Sequence, residues 1–359
     1  DILETLYLIY KGFFSIVLII GPIIIIGTVL GKFLNETGTS KKMVNTFISY
    51  FGIDNIPLSL NLIGLIISIP VFCDAAFILM SSIVKDLSRI TKKNIILLSV
   101  CLATGLYSAH VFIPPTPGPI AASAIINADI GLLFLTGIVV GIIVSISGFI
   151  WMKFLFKKEF KIKPVEIKSH DFTSDRSIVS FLPVIVPILL ISTSTIIKYP
   201  KLDINQLPFL KIFEIIGKPE IALLIGFLMT LIFLKKDEIQ STPQWIIKSL
   251  KNSFGILLIT GAGGALGYII RESEIIDNLN LNIATGLASI FSVFILATII
   301  KTIQGSSTVA IVTTCAITAP ILQSIGMTSE LEKVILIISI GSGAMTISHI
   351  NDSYFWVVS

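Results

Sequence analysis

Long apolar runs, each free of Lys, Arg, Asp and Glu, recur along the chain with polar segments between them. They are Phe13–Gly31, Asn94–Ala128, Ile130–Met152, Ser177–Ile197, Asn252–Ile270 and Asn278–Ile300. A helix needs about 20 apolar residues to cross a bilayer, and these runs are that long or longer. Two further stretches are apolar with a break inside. Pro57–Ile90 is apolar to Cys73, meets Asp74, and is apolar again to Val84. Val334–Ser359 is interrupted at Ser348-His349-Ile350-Asn351-Asp352-Ser353. Asn94–Ala128 carries Pro114, Pro115, Pro117 and Pro119 in its middle. Proline has no N–H and collides with the preceding turn, so this segment predicts two half-helices joined by an extended link. Asn278–Ile325 is broken at Gln304-Gly305-Ser306-Ser307-Thr308. Backbone leaves helix at membrane depth only where protein buries it or where it lines a cavity. The bland alternative for such a break is a Ser/Thr kink packed between helices.

The order of runs and breaks predicts an all-α polytopic membrane protein. It has two inverted-topology repeats, each with a re-entrant helical hairpin and a broken transmembrane helix. Residues 1–156 form the first repeat: an amphipathic segment at 1–12, a span, hairpin 57–90, broken span 94–128 and span 130–156. Residues 157–176 are a cytoplasmic loop, 177–251 connecting spans, and 252–359 the second repeat, with a span, hairpin 278–325 and broken span 334–359. Asn35–Asn55 reads as a loop whose Met43–Tyr50 stretch suits the membrane interface, and Lys198–Lys218 as an external loop. Sidedness follows Lys and Arg. Lys153, Lys157, Lys158, Lys161, Lys163, Lys168 and Arg176 mark one cytoplasmic loop. Lys41 and Lys42 ahead of Pro57–Ile90, with Lys92 and Lys93 behind it, favour a hairpin over one long span. Local echoes support the repeat: Gly27-Thr-Val-Leu-Gly31 with Gly263-Gly-Ala-Leu-Gly267, and Ala109-His110 with Ser348-His349.

Composition agrees. The chain is 54% hydrophobic and 13% charged, whereas soluble domains are about 25% charged. The net charge of +4 comes from Lys in loops, and no basic, aromatic-interleaved surface points to nucleic acid. Cys73, Cys101 and Cys315 lie in apolar segments without CxxC spacing, so they read as small buried hydrophobes, with no metal site expected. The chain starts at Asp1 with no signal-peptide pattern, and truncation at both ends is expected.

Few ionisable groups fall at membrane depth: Asp74, His110, Lys301, His349 and Asp352. Each costs about 2.5–3.5 kcal/mol to insert unless paired or wet, which makes it a functional candidate. The competing readings are a hairpin cap for Asp74, snorkelling for Lys301, and satisfied core histidines for His110 and His349. Half-helices that begin near one midplane aim N–H groups and partial positive charge at it, which suits a carboxylate. The candidate substrate-binding residues are Asp74, Thr116, Gln304, Ser306, Ser307, Thr308, His349, Asn351, Asp352 and Ser353. The candidates for proton coupling are Asp74, His110, His349 and Asp352, and Lys301 would stand behind the bound anion. No cofactor is expected; the coupling ion is H+, with Na+ the alternative. An intramembrane enzyme is the rival class, but Asp74 and Asp352 sit in no protease motif and no HExxH occurs. A channel is the other rival, less suited to paired hairpins.

Four motifs carry a resemblance. Ile69-Pro70-Val71-Phe72-Cys73-Asp74, His110 through Pro119, Gln304 through Ala310, and Ser348 through Trp356 together resemble the gluconate permease family. The resemblance implies a bacterial cytoplasmic (inner) membrane symporter that imports gluconate or a related sugar acid with a proton. It also implies further spans beyond both ends, a likeness to the larger ion-transporter superfamily, two opposed hairpins meeting at one site, a homodimer and an elevator-like movement. This chain departs from the family pattern at Thr116 (usually His), Lys301 (usually Arg), Tyr354 (usually Gly) and Cys73 (usually aromatic), which bears on the substrate more than on the fold.

Overall fold

The computed structural model describes residues 2–52, 55–158, 177–198, 210–272 and 286–359. Regular structure among these residues is entirely helical. Among the described residues, six helices are long and apolar enough to cross a membrane, and up to seven if a bent pair counts as one span.

The first helix, α1, runs over Ile2–Glu36 without a break. The expected separate segment at 1–12 is therefore its first three turns. At the far end Thr37 Oγ1 donates to the Phe33 carbonyl at 2.7 Å, and Gly38, at φ 69°, reverses the chain. The expected loop at 35–55 is mostly a helix, α2 (Thr39–Phe51). Its Met43 and Val44 are fully buried against protein, whereas Tyr50 near its end is exposed.

The first hairpin segment is α3 (Ile56–Ile67), a turn at 68–72, and α4 (Cys73–Thr91). The first broken span is α5 (Ile95–Phe112) and α6 (Pro117–Ile126). Its break is only residues 113–116, because Pro117 and Pro119 fit the first turn of α6, where an N–H has no helical partner anyway. Next come α7 (Ile130–Leu155) and α8 (Leu182–Lys198). Most of the predicted cytoplasmic loop, residues 159–176, lies outside the described residues. The expected external loop at 198–218 holds a helix, α9 (Leu210–Ile216), followed by α10 (Pro219–Thr230); the two segments bend by 77°. Residues 199–209 of that loop lie outside the described residues.

Helix α11 covers Thr242–Glu272, so the sequence boundary at 251/252 falls inside one continuous helix. Residues 273–285, which follow it, lie outside the described residues. The second hairpin segment is α12 (Leu287–Gln304) and α13 (Ser307–Thr318), parted only by Gly305 and Ser306. The second broken span is α14 (Glu330–Ala344) and α15 (Ser353–Val358), with its break at 345–352.

The contacts divide the chain into two compact units. Unit 1 is Asp1–Ile25, Val111–Gly137 and Leu250–Trp356; unit 2 is Ile26–His110, Ile138–Ser249 and Val357–Ser359. Each draws on both ends of the sequence. In unit 2, Phe33 meets Phe227 and Trp245 edge-on, with centroids 5.0 and 5.2 Å away. Asn61 of α3 is fully buried there. Its Oδ1 accepts from Ser145 Oγ of α7 at 2.8 Å, and its Nδ2 donates to Thr104 Oγ1 of α5 at 2.9 Å and to the Cys101 carbonyl at 3.1 Å. A polar bolt of this kind suits a bilayer interior, where apolar contact alone gives helices little reason to associate. In unit 1, α12 and α14 pack closely. A Cβ on Gly343 of α14 would run into the Phe294 carbonyl of α12, and Ser339 Oγ donates to the Ile290 carbonyl at 2.7 Å.

Candidate functional site: a buried charge pair between two helix breaks

Unit 1 brings the two breaks of the second repeat together. Helix α12 ends at Gln304 on Gly305, at φ 82°, a left-handed conformation that an L side chain adopts only at a cost. The Gly305 N–H bonds the Lys301 carbonyl at 2.8 Å. A Cβ on Gly305 would overlap the Asn351 carbonyl, so the second break lies against the first. Asn351 Nδ2 donates to the carbonyls of Thr302 and Ile303 at 2.9 and 3.1 Å, satisfying acceptors that the end of α12 leaves open. His349 Nε2 also pairs with the Thr302 carbonyl at 2.9 Å.

At the centre, Lys301 Nζ lies 2.6 Å from Asp352 Oδ2, with side-chain exposures of 0% and 4%. Lys301 also donates to the Gly305 carbonyl. Ser348 Oγ donates to Asp352 Oδ2 at 2.5 Å, and the Tyr354 N–H bonds Oδ1 at 3.0 Å. Both carboxylate oxygens are thus held, which a buried ion pair needs to offset its desolvation. Lys301 does not snorkel to an interface; it is matched in the interior. The pair lies one layer beneath an exposed polar surface of Gln304, Ser348, Asn351 and Ser353.

Two helix N-termini sit side by side in the same unit. Ser306 caps α13, its Oγ accepting from the Val309 N–H at 3.4 Å. Thr116 caps α6 in an extended conformation; it is buried, and its Oγ1 bonds the Ile113 carbonyl at 2.6 Å. A Cβ on Gly118 would come within 2.9 Å of Ile311 Cδ1 and 3.8 Å of Thr308 Cα, so the first turns of α6 and α13 touch. Ser307 is buried and Thr308 half-buried at the start of α13. The prolines leave the first turn of α6 short of N–H groups, so the donors there belong mainly to α13.

At the opposite end of α6, Lys333 Nζ of α14 donates to the Asn127 carbonyl at 3.0 Å and to Glu330 Oε1 at 2.8 Å. Glu330 Oε2 accepts from the Asp129 N–H at 2.7 Å. The bond from Lys333 lowers the Glu330 carboxyl from its ordinary value; burial opposes this, and the Asp129 N–H and the Lys333 charge add to the lowering.

Asp74 and His110 belong to unit 2. Asp74 is half-buried in the first turn of α4, where its charge complements the helix dipole, and Cys73 Sγ lies 3.6 Å from its Oδ1. His110 is in the last turn of α5, stacked on Tyr107 with ring centroids 6.4 Å apart. The echo of His110 with His349 does not extend to local structure: His110 is helical, whereas His349 lies in the longer break after α14. Sequence reasoning missed three things. It did not pair Lys301 with Asp352, although they are the oppositely charged groups within the second repeat's apolar segments. It left Ser348 outside the candidate set. It also passed over Asn61, a lone amide in an apolar run.

Membrane-length helices, interrupted around a buried ion pair, define a multi-pass membrane protein. The profile of the GntP family permeases matches residues 1–359, and the chain belongs to that family. Among its relatives is an uncharacterized permease of Haemophilus influenzae, 31% identical over 376 residues, covering 99% of this chain and 76% of the relative. The gluconate permease of Pseudomonas aeruginosa is 28% identical over 362 residues, covering 97% and 78%. The D-serine transporter DsdX of Escherichia coli is 28% identical over 352 residues, covering 94% and 77%. The protein is a multi-pass permease of the inner membrane.

Proposed function

We propose that this permease imports a small hydroxylated carboxylate of the gluconate type by proton symport. The observation that carries the reading is the Lys301–Asp352 pair, a cation and a carboxylate buried together where two helices break. A charge pair at membrane depth is costly and hard to justify by packing alone. The adjoining polar groups suit the rest of such a solute. Ser306, Ser307 and Thr308 stand at the start of α13, and Gln304, Asn351 and Ser353 expose amide or hydroxyl groups beside the pair. The N-terminus of α13 favours a carboxylate. The relatives point the same way: gluconate and D-serine each carry a hydroxyl and a carboxylate.

The inverted repeat belongs to this proposal, and the glycine echoes support it. Gly31 abuts the Pro70 carbonyl and Val71 at the turn of the first hairpin segment in unit 2. Gly263 and Gly267 abut Val312 and Ala316 of α13, the return helix of the second, in unit 1. In each case a glycine of the span lets a hairpin segment approach closely, which is the support these echoes give to the proposed repeat. The test is uptake of labelled gluconate into vesicles holding the protein. An inward proton gradient is expected to drive accumulation, and an inward sodium gradient alone is not. Accumulation driven by sodium without protons would overturn the symport assignment, and no uptake of any hydroxy acid would overturn the substrate class.

A further inference from the structure

Lys301 is a buried cation that pairs with Asp352 at 2.6 Å, its one anionic partner among the described residues of unit 1. A substrate carboxylate that passes inward through the polar surface at Ser348 and Asn351 would meet the same ammonium one layer below, and two carboxylates cannot both be neutralised by one lysine. We propose that Lys301 exchanges partners during transport. The substrate carboxylate takes the ammonium from Asp352, and Asp352, deprived of its counter-charge, takes up one proton on Oδ2. This rests on the reading of the solute as a carboxylate.

Charge balances in both states. Lys301 and Asp352 together are neutral, and Lys301 with a bound carboxylate and a protonated Asp352 is neutral as well. No covalent bond to the substrate forms. The proton comes from water on the uptake side and returns to water on the release side, when the substrate leaves and Lys301 pairs with Asp352 again. Ser348 Oγ, which now donates to Oδ2, turns to accept from the new O–H, as a hydroxyl can. One proton accompanies each anion, and neither the loaded nor the returning carrier moves net charge at this site.

Few other groups of unit 1 compete for the role. Lys301 is the sole titratable residue of α12, α13 contributes only Cys315, and α6 has none. Glu330, Glu332 and Lys333 occupy the first turn of α14, about 20 Å along the helix from the break at 1.5 Å per residue. His349 and Tyr354 are the remaining titratable neighbours, and His349 Nε2 pairs with the Thr302 carbonyl.

Two measurements on the full chain test the exchange. In weakly buffered solution, gluconate binding to the purified wild-type protein is expected to take up about one proton per anion. Asp352→Asn is expected to bind without proton uptake, and Asp352→Glu to restore it. In liposomes, wild-type uptake is expected to follow the pH gradient and to ignore a potassium–valinomycin potential of either sign. Asp352→Asn is expected to lose gradient-driven accumulation by at least about tenfold, keep gluconate counterflow, and become potential-sensitive, because its returning form carries the unpaired Lys301 charge. Gluconate binding to the wild type without proton uptake, or wild-type transport that moves net charge, overturns the exchange while leaving the substrate reading intact. Failure to bind any hydroxy acid overturns the substrate reading and the exchange with it. Should Asp352→Asn not fold, the two wild-type results decide alone.

Discussion

At the residue scale, the site depends on side chains that hold each other rather than on a single reactive group. Removing one partner of a buried pair leaves an uncompensated charge, which costs about 3–5 kcal/mol, whereas an apolar replacement of both is far milder. Lys301→Met and Asp352→Leu alone are therefore expected to lower the melting temperature in detergent sharply, and the double variant to recover most of the loss. Additive losses would mean that the 2.6 Å contact contributes nothing to stability. Gly305 is the second fixed point. Gly305→Ala meets a left-handed φ of 82° and the Asn351 carbonyl. The conformation alone costs about 1–2 kcal/mol. Asn351→Ala removes two cap bonds worth about 0.5–1.5 kcal/mol each and leaves the backbone unstrained. Thermal unfolding should rank Gly305→Ala as the more damaging, since the overlap adds to the strain.

At the element scale, polar side chains make the joints between helices. Asn61→Leu is expected to loosen α3 from α5 and α7, costing about 1–3 kcal/mol because Ser145 and Thr104 lose a buried partner; wild-type melting of this variant would refute the bolt. The Glu330–Lys333 joint has a pH signature. The folded Glu330 carboxyl lies below its usual value of 4.5, so its contribution is in full force above that value and is lost as pH falls through the lower folded value. Hydrogen-exchange protection factors at residues 127–129, taken relative to the intrinsic rate at each pH, should be constant at neutral pH and fall only on acidification below pH 4.5, with Glu330→Gln removing that acid limb.

The breaks were legible from sequence because proline, glycine and clustered hydroxyl residues oppose helix directly. The link at 113–116 and the Gly305–Ser306 step fall within the predicted interruptions, whereas the break at 345–352 begins ahead of the predicted Ser348 and the turn at 68–72 precedes Asp74, which lies in the first turn of α4. Their lengths were not legible, because whether a residue such as Pro117, Ser307 or Ser353 starts a helix depends on what caps it. The continuous α11 and the buried α2 were missed for a related reason. Charge marks where lipid ends, whereas burial of Met43 or extension of a helix past Lys248 and Lys251 depends on the protein around it. The same limit hid the Lys301–Asp352 pair: 51 positions separate the two residues, and only the fold brings them to contact.

At the scale of the whole molecule, the proposed topology places residues 41 and 92 inside and residues 128 and 328 outside. Within unit 1, the bonds joining Asn127 and Asp129 to α14 hold 127–129 and 329–333 at one end. Cysteine labelling of Lys41→Cys and Lys92→Cys from the inside only, and of Ala128→Cys and Thr328→Cys from the outside only, is the expected result. Either pair reacting from opposite faces would refute the hairpin topology.

The polar surface over the Lys301–Asp352 pair is the proposed reader of a hydroxylated carboxylate. The most direct measurement is competition for uptake of labelled gluconate by unlabelled gluconate and by hexanoate, which keeps the carboxylate and lacks the hydroxyls. A site built to bond hydroxyls rejects an analogue without them, so gluconate is expected to compete at least about tenfold better. Ser306→Ala with Asn351→Ala is expected to narrow that gap. Equal competition by the two acids would contradict the account.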